Sequence, residues 1–116
     1  MLTVAADPDN PVLGEPDLVV LINERTVGEA EAVAAALQDA GRAVIIGTTS
    51  FGKGSSNDFV DLSDGSAIYL PTSQWFRPTG QRITGVGVEP DIVVTGEQEQ
   101  TARAYDYLDD LLPAFR

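Results

Sequence analysis

Lys53 is the only lysine in the chain, and glycines flank it within the segment VIIGTTSFGKGSS, residues 44–56. A lysine held this way can bind a phosphate, take up a proton as a base, or merely occupy a turn. Gly47, four residues and then Gly52-Lys53 match the spacing of a nucleotide-binding loop, and the apolar run Ala43–Ile46 could be the strand before it. Two requirements of such a loop are missing. The residue after the lysine is Gly54, where a Ser or Thr hydroxyl would bind magnesium. The next residues, SSNDFVDLSDGS, have no helical period, so no helix N-terminus is expected to face a phosphate. Asp58, Asp61 and Asp64 would also repel a triphosphate. Those three aspartates lack the register of a calcium loop and read as a solvated face.

The absent residue types narrow the chemistry further. With no histidine and no cysteine, the chain cannot build a Ser-His-Asp triad, a thiol nucleophile, a disulfide or a His/Cys zinc site. No cofactor or metal site is read from the sequence. Eighteen acidic against seven basic side chains give a net charge of −11, which disfavours nucleic acid and anionic membranes as partners. The apolar run Leu18–Ile22 is a strand's length, and no apolar run is long enough to span a membrane. No secretory signal is read in the first residues, which are followed by acidic, proline-rich sequence. At 116 residues and 43% apolar, one globular domain is expected over 1–116, able to bury about two-thirds of its unfolded surface.

The elements that must position Lys53 are legible as patterns. Residues 1–17 read as an irregular lead-in, with three prolines and four acidic side chains between 5 and 17. Leu18–Asn23 predicts a strand buried on both faces. Thr26 and Glu29 have capping-box spacing, and Ala30, Val33, Leu37 and Ala40 mark one apolar helix face ending at Gly41. Residues 43–47 predict a second buried strand, which completes a βαβ unit of a parallel sheet. Phe59–Leu62 and Ala67–Leu70 around Asp64-Gly65 predict an antiparallel hairpin. Residues 77–91 form a turn-rich loop before the short run Ile92–Val94. From about Glu97 to Arg116 a helix is expected, with Ala102, Tyr105, Leu108 and Leu112 on one stripe and Pro113 fraying its end. Trp75 and Phe76 are expected in the core or an interface, and Arg77 and Arg82 in ion pairs with the acidic surface.

The segments LVVLINERTVGEAEAVAAALQDAGRAVIIGTTSFGKGS, LSDGSAIYL and PTGQRITGVGVEPDIVV come in an order and at spacings that resemble the C-terminal processing peptidases, or tail-specific proteases. The likeness covers the C-terminal half of that family's catalytic domain, across about residues 18–94. It implies a ClpP/crotonase-like α/β half-domain and peptide-bond hydrolysis by a Ser/Lys dyad, which needs no histidine. In the family a lysine in Phe-Gly-Lys-Gly is the general base, and a glutamine four residues on orients it. A lysine takes a proton only in its neutral form, which burial favours.

Carried over by position, the resemblance puts the general base at Lys53 and the orienting amide at Asn57, a shorter side chain than glutamine. The serine-rich segment that bears the nucleophile reads Arg25–Glu31 here, and counting from Glu31 or from Lys53 puts the nucleophile at Gly28. The neighbouring Glu29 would give one backbone amide of the oxyanion hole. Gly28 has no hydroxyl, so the chain is expected to be an inactive relative. Thr26, two residues earlier, reads as a cap. Arg25, Thr26, Val27 and Glu29 also depart from the family pattern, so the whole segment has drifted. The resemblance implies peptide or protein C-termini as partners and a cell-envelope, periplasmic or secreted location. No PDZ domain and no upstream half-domain are read in the chain. A non-catalytic peptide-binding or scaffold role is the alternative, with self-association through an exposed sheet edge.

Overall fold

Val19–Ile22 forms β1, Glu29–Asp39 forms α1 and Val44–Gly47 forms β2, in a computed structural model that describes residues 17–111. The strands pair in parallel, Val19 with Val44 through to Ile22 with Gly47, so 18–47 is the expected βαβ unit. β5 (Ile92–Val93) adds on the far side of β2 and also runs parallel, giving the order β1-β2-β5. Ser55–Asp61 (β3) and Ala67–Gln74 (β4) form a separate antiparallel hairpin, and Glu97–Leu111 (α2) follows β5. The hairpin turns at Asp64-Gly65, where the Asp64 carboxylate accepts the Ser66 N–H at 3.0 Å. Both its strands run longer than the apolar positions alone suggest.

The core lies between α1 and one face of the sheet. Ile22, Ala34, Ala35, Ala43, Ile45, Ile83 and Val88 form it, with Leu18, Val20, Leu37 and Trp75 packed against it. By the strand alternation, Leu21 and Ile46 point to the opposite face, the one left for α2, which contacts β1 and β2. Ile46 is fully buried there but Leu21 is 41% exposed, so β1 is not buried on both faces as its composition suggests. β2 is the central strand and is covered; β1 is an edge strand and only partly so.

Both helices are rotated from the faces that their apolar residues predict. In α1 the buried residues are Glu31, Ala34 and Ala35, while Val33 is 58% exposed and Ala30 and Ala40 are exposed. Alanines occupy so many positions of this helix that apolar spacing does not fix its phase. A buried acid does instead. In α2, Gln100 is buried and Arg103, Ala104, Tyr107 and Leu108 are half-buried, whereas Ala102 and Tyr105 face solvent. The Gln100 side chain donates to the Val94 carbonyl at 2.9 Å, which sets the rotation of this polar helix at its first turn. Leu112, Pro113 and the lead-in 1–16 lie outside the described residues.

The ends of α1 differ in the same way. The C-terminal end is as expected: Gly41 N–H reaches the Gln38 carbonyl and Arg42 N–H the Leu37 carbonyl, the paired bonds of a Schellman closure. The N-terminal capping box is shifted by two residues. Gly28 is the N-cap and Glu31 the residue that reaches back to it, while the Thr26 hydroxyl accepts the Asn23 N–H at 3.1 Å and closes the preceding turn. Trp75 and Phe76 also part company, Trp75 against the core and Phe76 57% exposed.

Gly47 ends β2 where the backbone passes closest to β1. Its φ is 141°, and a Cβ there would lie 1.8 Å from the Ile22 carbonyl oxygen. Gly80 also has positive φ but open space around it. Gly47→Ala is therefore expected to destabilise the fold by about 3 kcal/mol or more, and Gly80→Ala by about 1 kcal/mol, in urea unfolding followed by circular dichroism. Equal effects at the two positions would refute the close approach.

Candidate active site

The two loops that carry the expected site residues leave the carboxyl ends of neighbouring parallel strands, residues 23–28 after β1 and 48–54 after β2. In open α/β sheets this edge is where sites form. The loops are joined by a backbone bond from the Phe51 N–H to the Thr26 carbonyl at 2.9 Å and by the carboxylate of Glu31, on the first turn of α1 and without solvent exposure. Its Oε2 accepts the N–H of Gly28 and the N–H of Lys53, each at 3.0 Å. Its Oε1 accepts the Gly52 N–H at 2.6 Å and the Ser50 hydroxyl at 2.5 Å. One shared oxygen thus holds the backbone nitrogens of positions 28 and 53 within about 6 Å of each other.

Ser50 extends this cluster to a third segment. Its hydroxyl oxygen accepts the Val88 N–H at 2.7 Å, which directs the hydroxyl proton to Glu31. The Ser50 N–H in turn donates to the Val88 carbonyl at 3.1 Å. Further along, Gly85 N–H donates to the Gly52 carbonyl and the Thr84 hydroxyl to the Lys53 carbonyl, both at 2.8 Å. The segment 83–88 therefore lies directly on the lysine turn. Gly54 permits this: a Cβ there would come 2.5 Å from the Thr84 nitrogen. The glycines beside Lys53 do let the backbone approach closely, as the sequence suggests.

The expected site residues fall as follows. Gly28 is buried at the α1 N-terminus with φ 70° and ψ −130°, at the sharp turn from strand to helix. A Cβ on it would meet no atom within 4 Å, so the space over the position is open. Glu29 is the first residue of α1, its side chain exposed. Lys53 is half-buried, with its backbone fixed from both sides. Asn57 lies in β3 just past an irregularity in register at Ser56/Asn57, and its Oδ1 is buried without a hydrogen-bond partner. Gly28 and Lys53 are thus joined through Glu31, and no hydrogen bond ties Asn57 to them. Arg77 does pair with an acid, 3.6 Å from Asp39, and also donates to the Gln38 side chain at 2.6 Å.

Glu31 and Ser50 are the residues that the sequence reading passed over. Glu31 serves in the sequence only as the end of the family segment from which position 28 is counted; its structural part is signalled by its place three residues after Gly28, a capping-box spacing hidden by a glycine at the cap. Burial pushes the Glu31 carboxyl up, but bonds from Ser50, Gly52, Gly28 and Lys53 outweigh it and hold the pKa below its ordinary 4.5. A carboxyl depressed in the folded state stabilises the fold above its unfolded pKa, and this stability is lost as pH falls through the folded value. Glu31→Gln puts an amide NH₂ against two N–H donors, or against an N–H and a hydroxyl, and is expected to cost about 3 kcal/mol. Urea unfolding from pH 6 down to pH 2 should show the wild-type stability falling more steeply below pH 4.5 than that of Glu31→Gln. Parallel curves would contradict the role given to this carboxylate.

Comparison with known proteins identifies the family. Residues 5–94 match the family model described as "Peptidase family S41". The carboxy-terminal-processing protease of Bartonella bacilliformis is 44% identical over 92 residues, which make up 79% of this chain and 21% of that protein. The chloroplastic C-terminal processing peptidase of Tetradesmus obliquus is 39% identical over 88 residues, 76% of this chain and 19% of the relative. Among solved structures, the photosystem II D1 C-terminal processing protease superposes with a TM-score of 0.66 at 38% identity, over 75% of this chain and 24% of that one. The tricorn protease shares the fold, with a TM-score of 0.71 at 23% identity, over 84% of this chain and 10% of that one. The chain therefore spans about a fifth of the length of the curated relatives it matches, and it belongs to peptidase family S41, among the serine-type C-terminal processing proteases, of whose catalytic domain it represents a part.

Proposed function

We propose that residues 18–94 carry the lysine side of a Ser/Lys peptidase site whose nucleophile is missing, so that the chain does not cleave peptide. Lys53 stands at the general-base position, Asn57 at that of the orienting amide, and the Glu29 N–H at that of an oxyanion donor at a helix N-terminus. The observation that carries this reading is the Glu31 carboxylate, which bonds the backbones of positions 28 and 53 through a single oxygen. Nucleophile and base must sit within hydrogen-bond reach, and the junction supports this reading in that it keeps the backbone nitrogens of the two positions within about 6 Å.

Gly28 brings no hydroxyl to the junction. The nearby hydroxyls are otherwise engaged: Thr26 in its turn with Asn23, and Ser50 buried between Val88 and Glu31. Loss of a serine nucleophile lowers turnover by a factor on the order of 10⁶. The open space over Gly28, which leaves room for a peptide backbone, favours the second reading, a module that binds peptide C-termini or acts as a scaffold.

A fluorophosphonate probe, which phosphonylates activated serines with loss of fluoride, tests the site. The wild-type chain should remain unlabelled and leave casein intact. Gly28→Ser should become labelled at residue 28, and adding Lys53→Ala should slow that labelling by about a hundredfold or more, the usual scale of a general base. Casein turnover by the wild-type chain that disappears in Lys53→Ala would overturn the inactive assignment. Labelling of Gly28→Ser at the same rate with and without Lys53 would overturn the base assignment.

A further inference from the structure

The hairpin of β3 and β4 is apolar on both faces and, among the described residues, covered on neither. Phe59 and Tyr69 pair on one face, their rings 4.7 Å apart, yet they are 73% and 57% exposed. Val60 and Ile68 pair on the other face and are also exposed. A two-stranded hairpin is marginal in water, and large apolar side chains exposed on both sides mark an interaction surface.

The backbone shows which edge is open. Leu62 N–H donates to the Ser66 carbonyl at 2.7 Å, continuing the register Asp61–Ala67 and Val60–Ile68. By the alternation of an antiparallel ladder, Val60 therefore turns its N–H and C=O to β4, and Phe59 and Asp61 turn theirs outward. Pro71, paired with Asn57, belongs to the outward-facing set of β4 and has no N–H, so it interrupts that strand's outer edge. Among the described residues no strand pairs with the outer edge of β3.

Charge selects the occupant. Residues 55–74 contain Asp58, Asp61 and Asp64 and no lysine or arginine. A second copy paired edge to edge would set aspartates against aspartates in a chain of net charge −11, an arrangement that cross-strand repulsion opposes. We propose that the outer edge of β3 accepts a strand from a separate polypeptide, whose side chains run basic, apolar, apolar, basic opposite Asp61, Val60, Phe59 and Asp58. The backbone bonds would add the strand, the two central residues would cover Phe59 and Val60 on their respective faces, and the outer two would neutralise the aspartates. This inference is independent of the peptidase reading, since it uses neither Gly28 nor Lys53.

The test is an amide NMR titration of the ¹⁵N-labelled chain with three capped peptides, Thr-Lys-Val-Val-Lys-Thr, the same residues reordered as Thr-Val-Lys-Lys-Val-Thr, and Thr-Glu-Val-Val-Glu-Thr. The first should bind about tenfold more tightly than either of the others, with the largest shifts at the Phe59 and Asp61 amides. Phe59→Pro, which removes an outward N–H without touching the bonds inside the hairpin, should abolish the shift at the remaining Asp61 amide. Asp58→Asn combined with Asp61→Asn keeps the backbone donors and should erase the preference for lysine over glutamate. Equal binding of the two lysine peptides, binding centred away from β3, no binding at all, or a dimer in sedimentation whose interface is the β3 edge would each overturn the proposal.

Discussion

The Glu31 carboxylate is the interaction on which the rest of this structure depends. It is a charge with no solvent exposure, and it is tolerable there because four donors from two stretches of chain converge on its two oxygens. The donors are the glycine that starts α1 and the serine, glycine and lysine of the turn after β2, two loops that are also tied by the Phe51 N–H on the Thr26 carbonyl at 2.9 Å. The parallel pairing of β1 and β2 brings these loops side by side, and the carboxylate sets their separation. Fold and site meet at one functional group.

A second set of bonds holds the segment that backs the lysine turn. At the C-terminal end of α1, the Gln38 side chain accepts from Arg77 and donates to both the Glu89 carbonyl and the Asp91 carboxylate. Asp91 is locked in turn to Ile45, with its backbone N–H on the Ile45 carbonyl and its carboxylate on the Ile45 N–H, both at 2.8 Å. The loop 77–91 is therefore fastened to both ends of α1, through Gln38 at one end and through Ser50 and Glu31 at the other. Ile83 and Val88, buried between these ties, pack the same loop into the core. A loop of this length in a small domain keeps one conformation through such bonds, since it contains no helix and no strand longer than a single bridge.

The legible parts of the sequence are those written in backbone and turn chemistry. The apolar runs at 18–23 and 43–47, Gly41 and Asp64-Gly65 mark two strands, a helix end and a hairpin turn, and the structure has them there. The rotation of the helices was not legible. Five alanines between Glu29 and Asp39 make several faces of α1 nearly equivalent, and the one chosen is the face that buries Glu31. Apolar periodicity cannot signal a helix whose most important inward residue is a carboxylate. In α2 the same logic applies to Gln100, a polar side chain that fixes the phase through one carbonyl. The order of motifs along the chain was enough to show the family. What joins Gly28 and Lys53 was hidden, because a glycine at the cap removes half of the capping-box pattern.

Gly28 gives the arrangement its particular character. The turn from strand to helix, the buried carboxylate beneath it and the lysine turn across from it are all built, and the position at their centre has no side chain. The most direct measurement of this account is a carbon-detected NMR titration of the Glu31 carboxyl, followed together with the amide protons of Gly28, Gly52 and Lys53. The account predicts a midpoint below 4.5, with all three amides moving at that same pH as their shared acceptor is protonated. A midpoint at or above 4.5, or amides that ignore the titration, would contradict it.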